Sequence, residues 1–487
     1  MFAVFFIFSF GKAQSYTGYH SATYSGIYAI VTNPADILNH RFRGDVNLVG
    51  FSAGIGNNVI KFSYKKRNDD KGGVSFPDPI NKKGKLYLNM DVFGPGVLVK
   101  LSDKNAVALT TRARVVTNVH GISTDILNSL LPDTLRSNLV GNTLFASNMT
   151  LQTHAWKEVA LTYSRQFAHN DKGVWKLGAS LKYLGGVAAF SLSTNKLSFI
   201  HDSIFDPVSG KNKDALINPR GSIVIGYTKN IDSLSGSGSE YLSFKNPGAG
   251  LDIGLSYEYR DEFQVYETKY NDRTNSYVWK VGASITDIGF IRYNKNEVKS
   301  IVTKFTGKTY LMDELTLPSD SSDVYQAANY YTNLFKSNTS ASALTMQLPT
   351  TLHLTYDRFF NEWLGLQGQV NIPLVFSRLN YYIGNYNPVS VSVTPRAEAS
   401  WAGLYVPLSY SSVAGFQMGA ALRVGPLVIG SASIVNSRIL GRTKGADLYF
   451  ILRVPLFGYR AYKEKIYFET HPRLTKKQRK ALNCPVN

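Results

Sequence analysis

The chain has 487 residues, among them 30 Tyr, 27 Phe and 40 Gly but one Cys, with 53 Lys and Arg against 34 Asp and Glu for a net charge of +19. The lone Cys484 excludes an intramolecular disulfide framework. The cations are spread along the chain rather than gathered on one arm, which argues against a nucleic-acid partner and suits outer-membrane lipid and lipopolysaccharide phosphates instead.

At the N-terminus, MFAVFFIFSFGKAQS joins an apolar run to Gly11 and Ala13 at the −3 and −1 positions of a signal-peptidase site. The expectation is a signal peptide over residues 1–13, a mature start at Gln14 and export to the bacterial outer membrane. Residues 14–44 carry turn residues and a short helical stretch after Asn33-Pro34, without strand alternation. They are expected to form an N-terminal plug segment. No later stretch reaches the roughly 18–20 uninterrupted apolar residues of a spanning helix.

Residues 45–459 are expected to form an all-β fold, a transmembrane antiparallel β-barrel. A repeated stretch shows why. VWKLGASLKYLG, starting at Val174, returns as VWKVGASITDIG at Val278. At period 2, Trp175, Leu177, Ala179, Leu181 and Tyr183 oppose Lys176, Gly178, Ser180 and Lys182; the second copy divides Trp279, Val281, Ala283 and Ile285 from Lys280, Gly282, Ser284 and Thr286. The stretches starting at Gly248, Trp363, Phe416 and Asp447 alternate likewise. These runs suit a tilted crossing of about 9–11 residues. Trp175, Trp279, Tyr257, Tyr259, Phe359, Phe360, Trp363, Phe457 and Tyr459 cluster near strand ends, as interfacial girdles do. In hydrocarbon an open sheet edge leaves backbone groups unpaired, so such strands close into a ring.

In chain order the strands are expected near 45–54, 58–65, 84–103, 105–118, 154–168, 173–187, 219–229, 247–261, 276–291, 348–360, 363–375, 394–410, 413–424, 426–435 and 446–459. This count is odd, and the tight turns at 102, 169, 360 and 410 do not alternate through it, so a strand is missed or split within 188–218 or at Gly425-Pro426. About 14 strands is the expected number. TDILNSLLPDTLRSNL at 124 and SSDVYQAANYYTNLFK at 321 read as short helices in extracellular loops; in the second, Val324, Ala327, Ala328, Tyr331 and Phe335 share a side. Residues 460–487 are expected to form a basic periplasmic tail, disordered or docking on a partner.

NPAD at Asn33 to Asp36, just before the first strand, resembles the NPA motif of the long-chain fatty-acid transporter superfamily, in which an N-terminal segment plugs the barrel. YSGIYAIVTNPADILNHRFRGDVNLVG, GAGLDIGLSYEYR, VGASITDIGFIRYN, VGPLVIGSAS and ADLYFILRVPLF resemble a Bacteroidota family of outer-membrane barrels of unassigned function. The superfamily resemblance implies Asn33, Pro34 and Ala35 as the plug motif. It also implies either solute passage or a non-transporting role as a subunit of an outer-membrane assembly, type IX secretion among them.

Catalytic chemistry is not expected. GFSAG at Gly50 to Gly54 matches a nucleophile elbow, but Ser52 lies inside a strand and another strand follows, where that motif needs a helix. None of the eight His stands at metal-ligand spacing, and no phosphate-binding fingerprint opens a helix, so neither metal nor cofactor is assigned. Asp287 falls on the lipid-facing register, where a charge costs up to ~4 kcal/mol. Either a bulge beside Gly289 turns it inward, or a kink exposes the lumen laterally. The lumen candidates are Gln367, Gln369, Asn371, Arg423 and Arg453. The function expected is a plugged outer-membrane barrel that passes or binds a hydrophobic or small solute. Its alternative is a non-transporting scaffold that engages other outer-membrane or periplasmic proteins through its loops and residues 460–487.

Overall fold

The computed structural model describes residues 15–456 apart from 40–41, 60, 64–73, 76–83, 124–140, 147, 171, 208–209, 230–243, 245, 261–276, 295–297, 316–323, 342–343, 362, 375–381 and 440–441. The expected signal peptide, the helix at 124, the tail at 460–487 and Phe457, Tyr459 and Cys484 lie outside the described residues.

Fourteen staves form one closed antiparallel ring. In chain order they are β1 (Gly44–Asn57), β2 (Gly84–Ser102), β3 (Asn105–Ile122), β4 (Thr150–His169), β5 (Gly173–Asp206), β6 (Pro247–Tyr259) and β7 (Trp279–Tyr293). Then follow β8 (Leu344–Gln347 and Thr351–Phe359), β9 (Leu364–Pro373), β10 (Ser390–Glu398), β11 (Ala402–Tyr405 and Leu408–Ser411), β12 (Gly415–Met418 and Ala420–Val424), β13 (Leu427–Ser431) and β14 (Gly445–Leu456). Each pairs with the next, and β14 returns to β1 in a register running from Gly44 opposite Leu456 to Gly56 opposite Gly445. The core of the molecule is therefore its lumen.

The alternation read from sequence sorts the two faces. Leu177, Leu181, Tyr183, Ile253, Leu422 and Val454 are exposed on the outside, while Lys176, Ser180, Lys182, Asp252, Arg423 and Arg453 are buried within. An outer face of Leu, Val and Ile around a polar interior is the pattern that hydrocarbon selects, and it makes this a transmembrane-type barrel. Trp175 stands 4.7 Å from Tyr257, and Tyr257 and Tyr259 stand 5.5 and 5.4 Å from Trp279, forming an aromatic cluster at the mouth with most of the tight turns. Between Trp175 and Tyr183 a stave tilted by ~40° climbs about 20 Å, close to the ~25 Å apolar band of such barrels. Phe359 leaves this pattern: it is buried, packs on Tyr277 at 5.5 Å and lies under the Arg396 guanidinium.

The expected strand count was odd for reasons other than those suspected. Of 58–65, the part seen as strand is Lys61–Ser63, in a small sheet with Val74–Ser75 and Arg442–Thr443 rather than in the ring. Residues 219–229 belong to Lys211–Thr228, which pairs with the far end of β5 beyond the ring. The span 394–410 is two staves, turning at Ala399, whose N–H bonds the Ala402 carbonyl. Three of the four tight turns lie at one mouth, with the Gly44 and Leu456 ends, and the Ser411–Gly415 turn lies at the other.

β5 runs for 34 residues, more than the wall needs. Its far half carries Lys211–Thr228, then Val298–Thr306, then Asn338–Ala341 as an antiparallel paddle. The helix expected at 321 forms over Val324–Leu334, and Phe335 just beyond it packs against Phe305, Tyr310 and Tyr331 at 5.2, 5.1 and 5.9 Å. β13 is short, and above it side chains take over from the ladder. Asn436 bonds the Met418 N–H and the Phe416 carbonyl, and Asp447 accepts from the Ala432 N–H, so these backbone groups stay satisfied without a strand.

Candidate functional site

Residues 15–39 lie inside the ring, almost all of them buried. Two 3-10 turns, Gly26–Val31 and Pro34–Leu38, shape the segment. Asn33 caps the second, its Oδ1 accepting the Ala35 N–H at 2.9 Å, and Pro34 sits where its missing N–H is not needed. The other end of the Asn33 amide donates to the Leu255 carbonyl of β6 at 3.1 Å.

The repeated stretch is the seat for this turn. A methyl on Gly178 would stand 2.4 Å from Ala35 N and Pro34 C; on Gly254, 2.0 Å from Asn33 Oδ1; on Gly282, 2.9 Å from Asn33 Nδ2. Three glycines on adjacent staves therefore leave the space that the NPA turn fills, and Gly178 and Gly282 hold the same place in the two repeats. The repeat lysines do matched work. Lys280 pairs with Asp36 at 2.9 Å, and Lys176 binds Glu258 at 2.6 Å and the side chain of Asn39. Ser284 donates to the Thr32 carbonyl, and Ser164 to that of Ala35 at 2.9 Å.

Elsewhere the segment is held by tyrosines and two arginines. Tyr16, Tyr19 and Tyr28 are fully buried and pack against Tyr449, Tyr405 and Phe93 at 4.8–5.9 Å. Arg453 pairs with Asp45 at 2.7 Å and donates to Tyr19 Oη at 2.8 Å and to the Tyr24 carbonyl, while Asp45 accepts the Ile27 N–H at 2.9 Å. Arg423 lies 4.5 Å over the Tyr24 ring and caps the β10–β11 turn through the carbonyls of Ser400 and Ala402 at 3.0 and 2.9 Å. Both candidate arginines thus contact the segment.

Beside the segment lies a buried charge network that sequence reading did not assemble. Arg112 binds Asp91 and stands 3.6 Å from Glu158; Arg114 binds Asp287 at 2.7 Å; Lys182 binds Asp252 at 2.8 Å and Asp287 at 2.7 Å. Asp287 sits at φ +60°, opposite a register shift between Leu251 and Ile253, so the bulge turns it inward and Asp252 accepts its N–H. The inward parity of Asp252 and Lys182 was visible in sequence; their meeting with β3 and β4 was not.

The remaining candidates stand together on the neighbouring stretch of wall, where β8 pairs with β7. Cross-strand registry sets His353, Asn371 and Ser390 in one row, Thr355, Gln369 and Ser392 in the next, and Asp357, Gln367 and Thr394 in a third. Gln369 donates to Asn371 Oδ1 at 2.7 Å, which also meets His353 Nδ1 at 2.5 Å, and Asn371 donates to Ser390 at 3.1 Å. This face bonds through amides and hydroxyls, and its one ionic cluster is Asp357 with Arg396 and Glu398 at the lower end. Two cavities flank the segment, each of about 10 Å³, room for about one water. Among the described residues no group of three or more His, Cys, Asp or Glu could hold a metal.

A sealed ring with an apolar belt and an occupied, polar interior defines a transmembrane β-barrel with a filled lumen. The chain belongs to the family described as "Family of unknown function (DUF5723)", which it matches over residues 34–432. No curated protein matches the sequence. Among solved structures it is similar to the toluene transporter TbuX of Ralstonia pickettii, at 10% identity and TM-score 0.43 over 91% of this chain and 95% of that one. It is also similar to a FadL homologue of Pseudomonas aeruginosa, at 12% identity and TM-score 0.39 over 91% and 96%. The toluene transporter TodX of Pseudomonas putida aligns at 11% identity and TM-score 0.31 over 91% and 95%.

Proposed function

We propose that the chain is an outer-membrane barrel in which residues 15–39 act as a plug, and that it passes or binds a hydrophobic or small solute when the plug shifts. The observation that carries this reading is the seat: three wall glycines and a buried ion pair fitted to one turn of the chain's own N-terminal segment. A wall fitted around an inserted segment suits closure, and with the two flanking cavities only water-sized, passage of a larger solute depends on how far that segment yields. Planar-bilayer recording tests it. The intact protein should hold a closed baseline, and deletion of residues 15–39 should give stable conductance steps. A deletion variant that folds and stays closed refutes the plug.

The paddle favours a second reading, a non-transporting subunit of an outer-membrane assembly. A strand of 34 residues carrying further strands and a helix offers a surface that membrane crossing does not require. Native purification separates the two: a stoichiometric partner lost on trimming Val298–Thr306 and Asn338–Ala341 supports the scaffold.

A further inference from the structure

We propose that the lumen face of β8–β10 is a hydrated lane for small uncharged hydrogen-bonding solutes, water first among them, running between that face and residues 21–23. This rests on the plug reading and adds to it the side on which the plug yields and the class of solute.

Two neighbouring stretches of the wall grip the segment differently. From β4 to β7 it meets the glycine seat, the Lys280–Asp36 pair and the bonds from Ser164 and Ser284. Toward β8–β10 the described bond is from the Thr23 N–H to Glu398 at 3.4 Å, near the limit of a hydrogen bond. Among the buried polar atoms without a hydrogen-bond partner on this side are Ser21 Oγ and Thr23 Oγ1 on the segment and Asp357 Oδ1 and Gln367 Oε1 on the wall. All four residues are at most 8% exposed. Buried groups of this kind bond to water where there is room. A cavity lined by Ser21, Thr23, Tyr277 and Lys280 provides room for about one.

That cavity is linked to the lane. Tyr277 Oη donates to Asp357 at 3.0 Å, Asp357 lies in register with Gln367, and the amides continue upward from Gln367 to Gln369 at 3.4 Å and on to Asn371 at 2.7 Å. An amide ladder both donates and accepts, so it replaces the hydration of an alcohol or a water. Above Asp357, whose charge is matched by Arg396, it offers an ion amides rather than a counter-charge. It would leave its own groups unpaired against a hydrocarbon.

The test uses full-length protein in phosphatidylcholine vesicles, followed by stopped-flow light scattering under glycerol, sucrose and KCl gradients. Glycerol entry should exceed that of protein-free vesicles by about fivefold or more, with sucrose and KCl at baseline. The Gln367→Leu, Gln369→Leu double variant should return glycerol to baseline while keeping the heat-modifiable gel mobility of a folded barrel. Thr23→Val, on the other side of the lane, should slow it without touching the wall. Glycerol at baseline in the intact protein overturns the lane, and so does an undiminished rate in both variants. The plug reading stands or falls separately, on whether deleting residues 15–39 opens KCl conductance.

Discussion

Replacing Gly178 by Ala puts a methyl 2.4 Å from Ala35 N and Pro34 C and 2.5 Å from Pro34 O. These are backbone atoms of a proline turn, so no side-chain rotation relieves the clash; the segment itself must retreat. Reaching an ordinary contact of about 3.4 Å moves it by about 1 Å. That shift takes the 2.9 Å bond from Ser164 to the Ala35 carbonyl beyond hydrogen-bond range. Overpacking of ~1–3 kcal/mol and about 1 kcal/mol for the bond sum to ~2–4 kcal/mol against the seated state. At 1.4 kcal/mol per tenfold this is a loss of roughly 30- to 700-fold in the ratio of seated to unseated protein. The readout is maleimide labelling of Ala22→Cys, a buried segment position, in a Cys484→Ser background. Labelling should accelerate by that factor when Gly178→Ala is added. A rate within about twofold of the parent, in protein that keeps its folded mobility, refutes the seat.

Lys280→Met leaves Asp36 buried without its cation and should cost ~3–5 kcal/mol of seating, most of it recovered in Lys280→Met with Asp36→Asn; the same labelling assay follows both. Asp287→Ala leaves Arg114 without its carboxylate and Lys182 with Asp252 alone, and removes a residue suited to positive φ, so urea unfolding in detergent should show ~3–5 kcal/mol lost, with Asp287→Asn milder because Asn tolerates that backbone. Leu181→Arg, in the outer belt, should cost ~2–4 kcal/mol in vesicles, whereas Val224→Arg on the paddle should cost under about 0.5 kcal/mol. Burial, with His353 adding to it, holds the His20 imidazole down at about 3, and its Nδ1 meets Thr32 Oγ1 at 2.7 Å. A depressed imidazole favours the seated segment fully above about pH 6.5, and that preference is lost as pH falls toward about 3. Labelling should therefore rise on acidification, and His20→Gln should flatten that rise; parallel curves for the two proteins would remove His20 from the account.

Local alternation made the barrel legible, and ring closure is what it could not count. A period of 2 sorts Leu177 from Lys176 wherever the strand lies, so the faces of β5, β6, β9, β12 and β14 could be read directly. The same alternation continues past the belt: Lys211–Thr228 looks like a crossing strand because its backbone is extended in the same way, and only its pairing with the far half of β5 places it outside the ring. The turn at Ala399 was hidden because it lacks Gly, Pro or Asn-Gly at its centre and is capped instead by Arg423, 24 positions away. The lumen site divides along the same line. Gln367, Gln369 and Asn371 share one strand face and could be picked out together, whereas the network joining Arg114, Lys182 and Asp287 draws on three staves, and no spacing reports it.

The repeat that first marks the chain as a barrel is also where fold and function meet. Each element of Trp-Lys-x-Gly-x-Ser has its own partner: the tryptophan takes the interface, the lysine binds a carboxylate, the glycine leaves a place for Asn33 and Pro34, and the serine bonds inward. Repetition on β5 and β7, with Gly254 between them on β6, makes that stretch of wall a socket for one turn. The β8–β10 face meets the segment through one long described bond, so in the proposed reading the segment yields there without breaking the ion pair or emptying the glycine seat. In the proposed reading, closure and passage fall to neighbouring stretches of the same wall, the glycine seat and its ion pair on β5–β7 and the amide ladder on β8–β10.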